Sequence, residues 1–486
     1  MKLCYKRVLL CMPPLPGVYQ GVPPAPPGGI GYLSEVLSQE NIENDVIDMR
    51  LGYTLEDLKN KIKKFKPDLI GFTVNTYRYD VPYSYISSIK CKDFDIMVGG
   101  PQASVERKKI FEEIDVEYVT KFGGEKLIVE LCKGKPLEEI KGLIYKKDKE
   151  IIENPDEIDL DLSKLPFPKY KKFELNKYIR KQIKISTTQG CLYKCTFCSV
   201  AAVTGRRLRI KDPSLVIEEF KYWYDKGYRE FDIVDDNFIF DKQRTLDICN
   251  GLINNGIKNL DITCGGIRAD SVDREILEKM RIVGFKQISF GVEGGNNKML
   301  KLIKKSETIE QIEESIKIAC ELGFDVCLFF IIGMPGETVK DVKDSFRLAL
   351  KYPINNANFH NAVPTPDTEL YNYVVKNNLF VVKHPDYLND ISQFEGMPIF
   401  ETPEFPLIKR LKMLKQAKKI EKEVLRRTFA RKLRKYSILG EISSHIVFFK
   451  PFYSFLQKSM RYSKTVKKTL VYFARRFDLK GMETIR

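Results

Sequence analysis

Apolar and polar residues alternate between two patterns along the first 140 residues. Short apolar runs end in glycine, proline or a polar residue, and stretches with apolar residues at helical spacing follow them. The helical spacing is clearest at 28–41 and 54–68. The short runs predict five strands, at 8–12, 45–49, 69–74, 94–100 and 116–124. Strands that alternate with helices in this way predict a doubly wound parallel sheet of the Rossmann or flavodoxin-like kind.

A second alternation begins at Lys184. Amphipathic helical stretches separate its apolar runs, which predict strands at 184–187, 230–234, 259–264, 287–292, 326–333 and 356–363. Six such units in about 190 residues favour an open or partial parallel barrel of the TIM type. The segment between the two alternations is charged and contains prolines, which is typical of a linker.

These patterns predict four regions. They are a doubly wound domain at 1–140, a linker at 141–182, a partial barrel at 183–400 and a basic helical region at 401–486. The last region carries 23 Lys and Arg against 7 Asp and Glu, while residues 1–400 carry 58 of each sign. The net charge of +16 therefore belongs to the C-terminal region, and it predicts a surface for an anionic partner.

The composition indicates a protein of the cytoplasm. The chain has 11 cysteines, an odd number, and most lie among apolar residues, as Cys320 and Cys327 do, which is typical of buried free thiols. The N-terminal sequence MKLCYKRVLLCMPPLPG starts with basic residues, but its prolines follow too soon for a signal peptide, and a first strand is favoured. No stretch has the ~18–20 uninterrupted apolar residues of a membrane span.

Short turns follow three strands of the first domain, and two of them are rich in glycine. Their sequences are TVN, GGPQAS and GGE. Each glycine alone is most simply a turn residue. Because parallel strands end at one edge of a sheet, the set together predicts a ligand site there.

The segment Gly190–Val200, GCLYKCTFCSV, places three cysteines at C-x3-C-x2-C spacing. Structural zinc usually has four ligands in two pairs, and this sequence has no second C-x2-C and no histidine before His360. A redox Cys-x-x-Cys pair would leave Cys191 unexplained. A [4Fe–4S] cluster bound by three thiolates leaves one iron open to a cofactor or substrate, which is a catalytic arrangement.

Charged residues follow the other barrel strands. Asp235, Asp236, Arg268, Glu293 and Glu337 each lie at or just after the end of a predicted strand. Because barrel active sites form at the C-terminal ends of the strands, these residues are expected near the cysteines.

The segment CLYKCTFC, with aromatic Phe197 before the last cysteine, resembles the cluster loop of radical S-adenosylmethionine (SAM) enzymes, and the resemblance extends through residues 1–375. It implies a (β/α)6 barrel in which SAM chelates the open iron. It also implies that the reduced cluster, at Cys191, Cys195 and Cys198, cleaves SAM to a 5′-deoxyadenosyl radical. An electron donor such as a flavodoxin or ferredoxin is then expected.

The resemblance also assigns SAM-binding residues. FDIVDDNFIF implies Asp235 and Asp236 near the SAM ammonium, and CGGIRAD implies Arg268 at its carboxylate. SFGVEGGNNKML implies Glu293 at the ribose, and FFIIGMPGET implies Ile331 to Gly333 beside the adenine, although Phe329 replaces the glycine expected two residues before Ile331. A structural salt bridge is the alternative for each charged residue taken alone.

The first domain, followed by LSKLPFPKY and the cysteine loop, resembles the cobalamin-dependent radical SAM enzymes. The segments PPGGIGYLSEVL, DLIGFTVN and VGGPQAS match that family's N-terminal pattern, and the domain has no histidine, so cobalamin would bind without a histidine ligand. A domain that has lost cobalamin is the alternative. The resemblance implies cobalamin contacts at Gly71, Thr73, Asn75, Gly99, Gly100, Gln102, Gly123 and Gly124.

The resulting hypothesis is cobalamin-dependent methylation of an unactivated carbon in a hydrophobic substrate, lipid-like or tetrapyrrole-like. Oxidative cyclisation or another C–C bond-forming rearrangement without methyl transfer is the main alternative. A methylthiotransferase is a further one, although Cys4, Cys11, Cys91 and Cys132 lack the look of its second cluster site. A non-catalytic cobalamin-binding or membrane-associated scaffold is the last.

The C-terminal region mixes basic residues with apolar clusters such as IVFF and PFYSFL. This mixture favours peripheral contact with an anionic membrane or a hydrophobic substrate over nucleic acid. Helices that simply pack on the barrel are the plainer interpretation. The sequence predicts neither the oligomeric state nor the identity of the substrate.

Overall fold

A computed structural model of the chain describes residues 4–14, 23, 25–157, 161–383, 386–390 and 396–433. Within these residues the chain forms two large, mainly parallel sheets, one in each predicted domain. A long helix follows the second sheet. The α/β class and the doubly wound sheet predicted from the sequence are confirmed.

The N-terminal sheet has the strand order β2-β1-β3-β4-β5-β6-β7, and its first five strands are parallel. The order 2-1-3-4-5 is that of flavodoxin-like folds, which bind ligands where the order reverses, at the carboxyl ends of β1 and β3. The strands are β1 Arg7–Met12, β2 Glu43–Asp48, β3 Leu69–Thr73, β4 Asp95–Gly99, β5 Tyr118–Thr120, β6 Leu143–Lys147 and β7 Glu150–Glu153. The helices are α1 Gly28–Gln39, α2 Leu55–Phe65, α3 Asp80–Ile89, α4 Pro101–Glu106, α5 Ile110–Glu113 and α6 Glu125–Cys132.

Strand β1 shows why this sheet was readable from the sequence. Leu9 and Cys11 pack into the hydrophobic cluster on one face, and Val8 and Leu10 pack into the cluster on the other. Because helices cover both faces, the strand is a continuous apolar run.

The hairpin β6–β7 lies inside the segment that the sequence predicts as a linker. Strand β6 pairs antiparallel with β5 and with β7, and it extends the N-terminal sheet. Only Leu143, Ile144 and Tyr145 of β6 are buried, so its apolar run is short and the charged turn after it concealed the strand. The connection between the domains therefore starts after Glu153. Tyr170 in this connection packs against Gly31 of α1 and the ring of Trp223, and so ties the two domains together.

The second domain contains six parallel strands in the order β8-β11-β12-β13-β14-β15, which confirms the partial barrel. They are β8 Gln182–Ile185, β11 Glu230–Ile233, β12 Asp261–Ile267, β13 Phe285–Glu293, β14 Asp325–Ile332 and β15 Asn356–Asn361, and a separate pair is formed by β9 Thr188–Gln189 and β10 Arg209–Ile210. The helices are α7 Val200–Thr204, α8 Pro213–Asp225, α9 Lys242–Asn254, α10 Arg274–Val283, α11 Asn297–Leu302, α12 Ile309–Glu321, α13 Val339–Lys351 and α14 Glu369–Lys376.

The two faces of this sheet differ in polarity. Residues of one parity, such as Phe231 and Ile233 of β11, pack with the helices in a single large core. Residues of the other parity point to the inside of the barrel. Polar side chains are frequent on this inner face, among them Lys184, Asp232, Thr263, Ser289, Cys327, Asn358 and His360.

The long helix α15, Leu407–Leu433, packs against β15 and α13. It confirms the helical character predicted for the C-terminal region as far as residue 433, and the rest of that region lies outside the described residues. Among the described residues, no helix combines the length and the apolar character that crossing a membrane requires.

Candidate active site

The three-cysteine loop lies between β9 and α7, just beyond the C-terminal end of β8. Gly190 begins the loop with φ +90°, and a β-carbon there would stand 1.7 Å from the carbonyl oxygen of Arg207. Only glycine fits this position. The amide of Thr196 donates to the carbonyl of Ile303 at 3.1 Å, which holds the loop against the barrel.

The three cysteines are free, half-buried thiols. Burial raises the pKa of Cys198 to about 11, although hydrogen bonding from the Val200 amide opposes this, and the neighbouring Cys195 and Cys191 raise it further. Among the described residues, no group of three or more His, Cys, Asp or Glu converges as a single metal ion requires. A [4Fe–4S] cluster places each thiolate on a different iron, so three separate but neighbouring thiols fit it.

Asp235 and Asp236 lie at the end of β11 and hold the base of the loop. Asp235 accepts hydrogen bonds from the amide and the hydroxyl of Thr187, at 2.6 and 2.5 Å. Asp236 accepts one from the amide of Gly190 at 2.8 Å. Burial raises the pKa of both carboxyl groups. Both residues therefore lie beside the cysteines, as predicted, and both already have backbone partners.

Arg268 lies close to the cysteine loop, but its guanidinium already has partners. Nε and Nη2 donate to the two carboxylate oxygens of Asp270 at 3.0 and 2.8 Å, and Nη1 donates to the carbonyl of Lys305 at 2.8 Å. The ring of Tyr193 stacks 3.5 Å from the guanidinium carbon. The sequence predicts that two N–H groups of this guanidinium bind the carboxylate of SAM. In the structure these two groups bind the carboxylate of Asp270.

Glu293 ends β13 with φ +64° and is nearly buried. Burial raises the pKa of its carboxyl group, and the ammonium of Lys305 opposes this from 3.8 Å away. Lys305 is itself buried, and it was not predicted as a site residue because it follows a second lysine in a charged turn. Arg268, Glu293 and Lys305 all act on Cys195 electrostatically, so the structure brings them together around the second cysteine.

The residues predicted beside the adenine share one apolar surface. Phe197 and Ile331 both pack against the hydrophobic cluster that contains Met334, Leu370 and Phe400. Gly333 has φ +109° and donates its amide to Glu337 at 2.5 Å. This surface forms an apolar wall next to the cysteine loop.

The predicted cobalamin residues lie at the carboxyl ends of β3, β4 and β5 and in the turns that follow them. Gly71 and Thr73 belong to β3, and Asn75 follows it. Gly99 ends β4, Gly100 connects it to α4, Gln102 lies in the first turn of α4, and Gly123 and Gly124 precede α6. A β-carbon at Gly99 would lie 2.9 Å from the hydroxyl of Thr120, so the backbones are close-set here. The buried amide of Gln102 interacts with the hydroxyl of Tyr83, while β-carbons at Gly28 and Gly29 would meet nothing within 4 Å. An open edge without side chains leaves room for a large ligand.

The two candidate cofactor edges face each other. Helix α4, which follows Gly100 directly, packs against α7, which follows the cysteine loop. The hydroxyl groups of Tyr77 and Thr365 are 3.0 Å apart, and the ring of Phe122 lies 3.4 Å from where a β-carbon of Gly205 would stand. The glycine-rich edge of the first domain thus covers the cysteine end of the barrel.

Two family models match the chain in these places. The Radical SAM superfamily model matches residues 185–349, which contain the cysteine loop and four complete barrel strands, and the B12 binding domain model matches residues 22–131. The chain therefore carries both domains of a cobalamin-dependent radical SAM enzyme. Its cofactors are a [4Fe–4S] cluster, SAM and cobalamin.

Two curated relatives illustrate the sequence similarity of this radical SAM enzyme. An uncharacterized methyltransferase of Pyrococcus horikoshii is 29% identical over 390 residues, which cover 77% of this chain and 84% of the relative. An anaerobic magnesium-protoporphyrin IX monomethyl ester cyclase of Cereibacter sphaeroides is 25% identical over 374 residues, which cover 71% of this chain and 60% of the cyclase.

Two solved structures share the fold. One is the radical SAM methyltransferase TsrM of Kitasatospora setae, with cobalamin and a [4Fe–4S] cluster bound. Its TM-score is 0.66 at 20% identity, and the match covers 78% of this chain and 79% of the TsrM chain. The other is the cobalamin-dependent radical SAM enzyme OxsB, with aqua-cobalamin and SAM bound. Its TM-score is 0.69 at 19% identity, and the match covers 97% of this chain and 75% of the OxsB chain. Both support the fold assigned to the two domains.

Proposed function

We propose that this enzyme transfers a methyl group to an unactivated carbon of a substrate held between the barrel interior and the B12 domain. The observation that carries the proposal is the contact between α4 and α7. Because these helices directly follow the glycine edge and the cysteine loop, cobalamin and SAM would lie on two sides of one space. A substrate carbon in that space could meet both cofactors.

Residues at the cysteine end of the barrel have three roles in this proposal. Cys191, Cys195 and Cys198 would hold the cluster, while Asp235 and Asp236 fix the loop that carries them. Phe197 and Ile331 would exclude water from the adenine side. When bound, the cluster would supply the electron that cleaves SAM to a 5′-deoxyadenosyl radical, and cobalamin would supply the methyl group.

The inner face of the barrel supports a substrate with polar groups. Thr263 donates to a carboxylate oxygen of Asp232 at 2.7 Å, and Asn358 donates to the sulfur of Cys327 at 3.1 Å. Lys184 lies opposite Asp232 in the strand register, and the two charges interact. A β-carbon at the exposed Gly265 would meet nothing within 4 Å, so there is open space between these side chains. Polar side chains that point into open space suit a ligand with hydrogen-bonding groups.

Two apolar side chains are exposed at the cysteine end of the barrel. Leu192 in the cysteine loop is 68% exposed and Val234 at the end of β11 is 44% exposed. They support the hydrophobic component of the substrate expected from the sequence, which makes an amphipathic molecule the best match. The membrane contact predicted from residues 401–486 depends largely on residues beyond 433, which lie outside the described residues.

The test uses anaerobically reconstituted enzyme, methyl-labelled SAM and extract of the source cells. We expect the protein to bind iron, to release 5′-deoxyadenosine and to move the label into an amphipathic product. Cys198→Ala should abolish the cleavage, while Cys320→Ala, at a half-buried cysteine remote from the loop, should retain it.

The label also separates the alternatives. Cleavage of SAM with a changed but unlabelled product would replace methyl transfer by cyclisation, the activity that the Cereibacter relative is named for. Label accompanied by sulfur in the product would indicate methylthiolation; the burial of Cys11 and Cys132 in the hydrophobic core speaks against the second cluster site which that reaction needs. If wild-type enzyme neither binds iron nor cleaves SAM, the enzyme assignment fails and a scaffold role takes its place.

A further inference from the structure

The first half of α15, residues 407–420, contains six basic residues and no acidic one. Buried side chains of this half, Met413 and Ala417 among them, pack the helix on the barrel core. The opposite face of the helix is exposed to solvent. Residues spaced by four, three and four positions form one stripe along that face: Ile408, Lys412, Lys415 and Lys419. These four residues are named the α15 stripe.

The lysines of the α15 stripe form no ion pair with any residue that the structure describes. The helix has two glutamates, Glu421 and Glu423, and both pair with other cations of the same helix. Glu401 and Glu404, just before the helix, act on the buried Arg410. The stripe is therefore a positive surface whose charge the fold leaves uncompensated, and an anionic partner fits it.

An exposed apolar side chain lies at the start of the stripe. Ile408 is 81% exposed, more than any other large apolar side chain among the described residues. Met397 is also exposed, and it follows Gly396, whose β-carbon would stand 4.0 Å from Leu414 of α15. An anionic bilayer attracts lysines to its headgroups and accepts an apolar side chain beneath them, whereas a nucleic-acid backbone offers only charge. The combination favours a bilayer.

The stripe starts at the end of the barrel that holds the candidate active site. Arg410 lies in the same helical turn as Ile408, and its guanidinium lies behind Gly333, which directly follows β14. A bilayer in contact with Ile408 would therefore lie near the C-terminal ends of the barrel strands.

We propose that the α15 stripe binds the anionic surface of a lipid bilayer. Lys412, Lys415 and Lys419 contact the headgroups, and Ile408 enters the boundary between headgroups and acyl chains. The enzyme is then held where an amphipathic substrate is available. The inference goes beyond the proposed function and does not depend on the reaction, so its test needs neither SAM cleavage nor methyl transfer.

The test is flotation of the reconstituted full-length holoenzyme with vesicles. One set contains phosphatidylcholine alone, and the other contains phosphatidylcholine with phosphatidylglycerol. We expect wild type to bind only the vesicles that contain phosphatidylglycerol. A lysine near an anionic surface is worth about fivefold in binding (about 1 kcal/mol), so replacing Lys412, Lys415 and Lys419 together by glutamine should weaken binding by at least about tenfold. Ile408→Ser should weaken it severalfold.

The matched control replaces three exposed lysines of α2, Lys59, Lys63 and Lys64, by glutamine. Both triple variants change the net charge equally, so the control should bind as wild type does. Equal loss of binding in the two triple variants would overturn the proposal, because it would show attraction by net charge alone. Failure of wild type to bind the anionic vesicles would overturn it as well.

A duplex RNA oligonucleotide is the competing ligand in the same experiment. If wild type binds the RNA but not the vesicles, and the α15 triple variant loses the RNA, the stripe is a nucleic-acid surface and the proposal is wrong. Thermal midpoint and SAM cleavage are recorded for every variant, and both should match wild type. Wild-type protein that binds anionic vesicles without cleaving SAM would contradict the proposed function and leave this surface standing.

Discussion

The backbone of Gly333 lies against the guanidinium of Arg410. A β-carbon at Gly333 would stand 2.7 Å from Nη1, and Arg410 cannot withdraw because Nε and Nη1 donate to the carbonyls of Phe405 and Phe400 at 2.9 Å each. Arg410 belongs to α15 and is fully buried. The C-terminal helix therefore forms the back of the loop that carries the predicted adenine contacts.

Gly333→Ala is expected to weaken SAM binding at least tenfold. The substitution combines a positive φ, which costs about 1–3 kcal/mol for a residue with a side chain, with a clash against a fixed guanidinium. Gly323→Ala is the matched control, since Gly323 has φ +75° but open space around it. Equal SAM dissociation constants for the two variants would contradict the role assigned to the contact.

Glu337→Gln is expected to flatten the dependence of stability on pH. Burial raises the pKa of Glu337 to about 8, opposed by the Gly333 amide and by Arg410. The folded protein thus holds a proton that the unfolded chain loses near its ordinary pKa of 4.5, so stability falls as pH rises from about 4.5 to about 8.

The thermal midpoint measures this effect. The side-chain amide introduced by Glu337→Gln has no proton to lose in this pH range, and its oxygen still accepts from the Gly333 amide. The thermal midpoint of Glu337→Gln should therefore rise relative to that of wild type between pH 5.5 and pH 8. Glu369→Gln, at an exposed pair with Lys304, should follow wild type. A wild-type slope retained by Glu337→Gln would show that another group titrates.

Gly100→Ala is expected to reduce retention of the corrin severalfold without changing the iron content. Gly100 has φ +95°, and a β-carbon would lie 2.9 Å from the carbonyl oxygen of Val74, so the ends of β3 and β4 would have to separate. Gly52→Ala shares the positive φ in the same domain but meets nothing within 4 Å. Corrin content after gel filtration is the measurement, and full retention by Gly100→Ala would remove this edge from the cobalamin site.

Lys184→Met is expected to retain SAM binding and iron but to lose labelled product at least tenfold. The substitution removes an ammonium that lies opposite Asp232 on the inner face of the barrel and leaves the cysteine end unchanged. Lys181→Met, just before β8 and exposed near Tyr228, is the control. If Lys184→Met forms as much labelled product as wild type, the substrate does not bind at this face.

The sequence predicted the elements well where the physical signal is local. Strands buried on both faces are continuous apolar runs, and the spacing of the three cysteines indicates a [4Fe–4S] cluster. The hairpin β6–β7 was missed because an edge strand has only a short buried run. Its position became evident only from its pairing with β5.

The partners of the site residues were beyond the reach of the sequence. The sequence predicts Arg268 at the carboxylate of SAM, with a structural salt bridge as the alternative, and nothing in CGGIRAD indicates that Asp270 folds back onto it. Lys305 and Arg410 each stand among other basic residues, and a charged run is normally exposed. Their burial depends on tertiary packing of a turn on β13 and of a helix on β14, which leaves no local pattern.

Ser199 is the only residue between Cys198 and the first residue of α7. Because α7 packs against α4, a shift of the B12 domain relative to the barrel should also move Cys198. Loading one cofactor should therefore alter the reduction potential of the other site, and titrating the cluster with and without corrin would measure that coupling in millivolts.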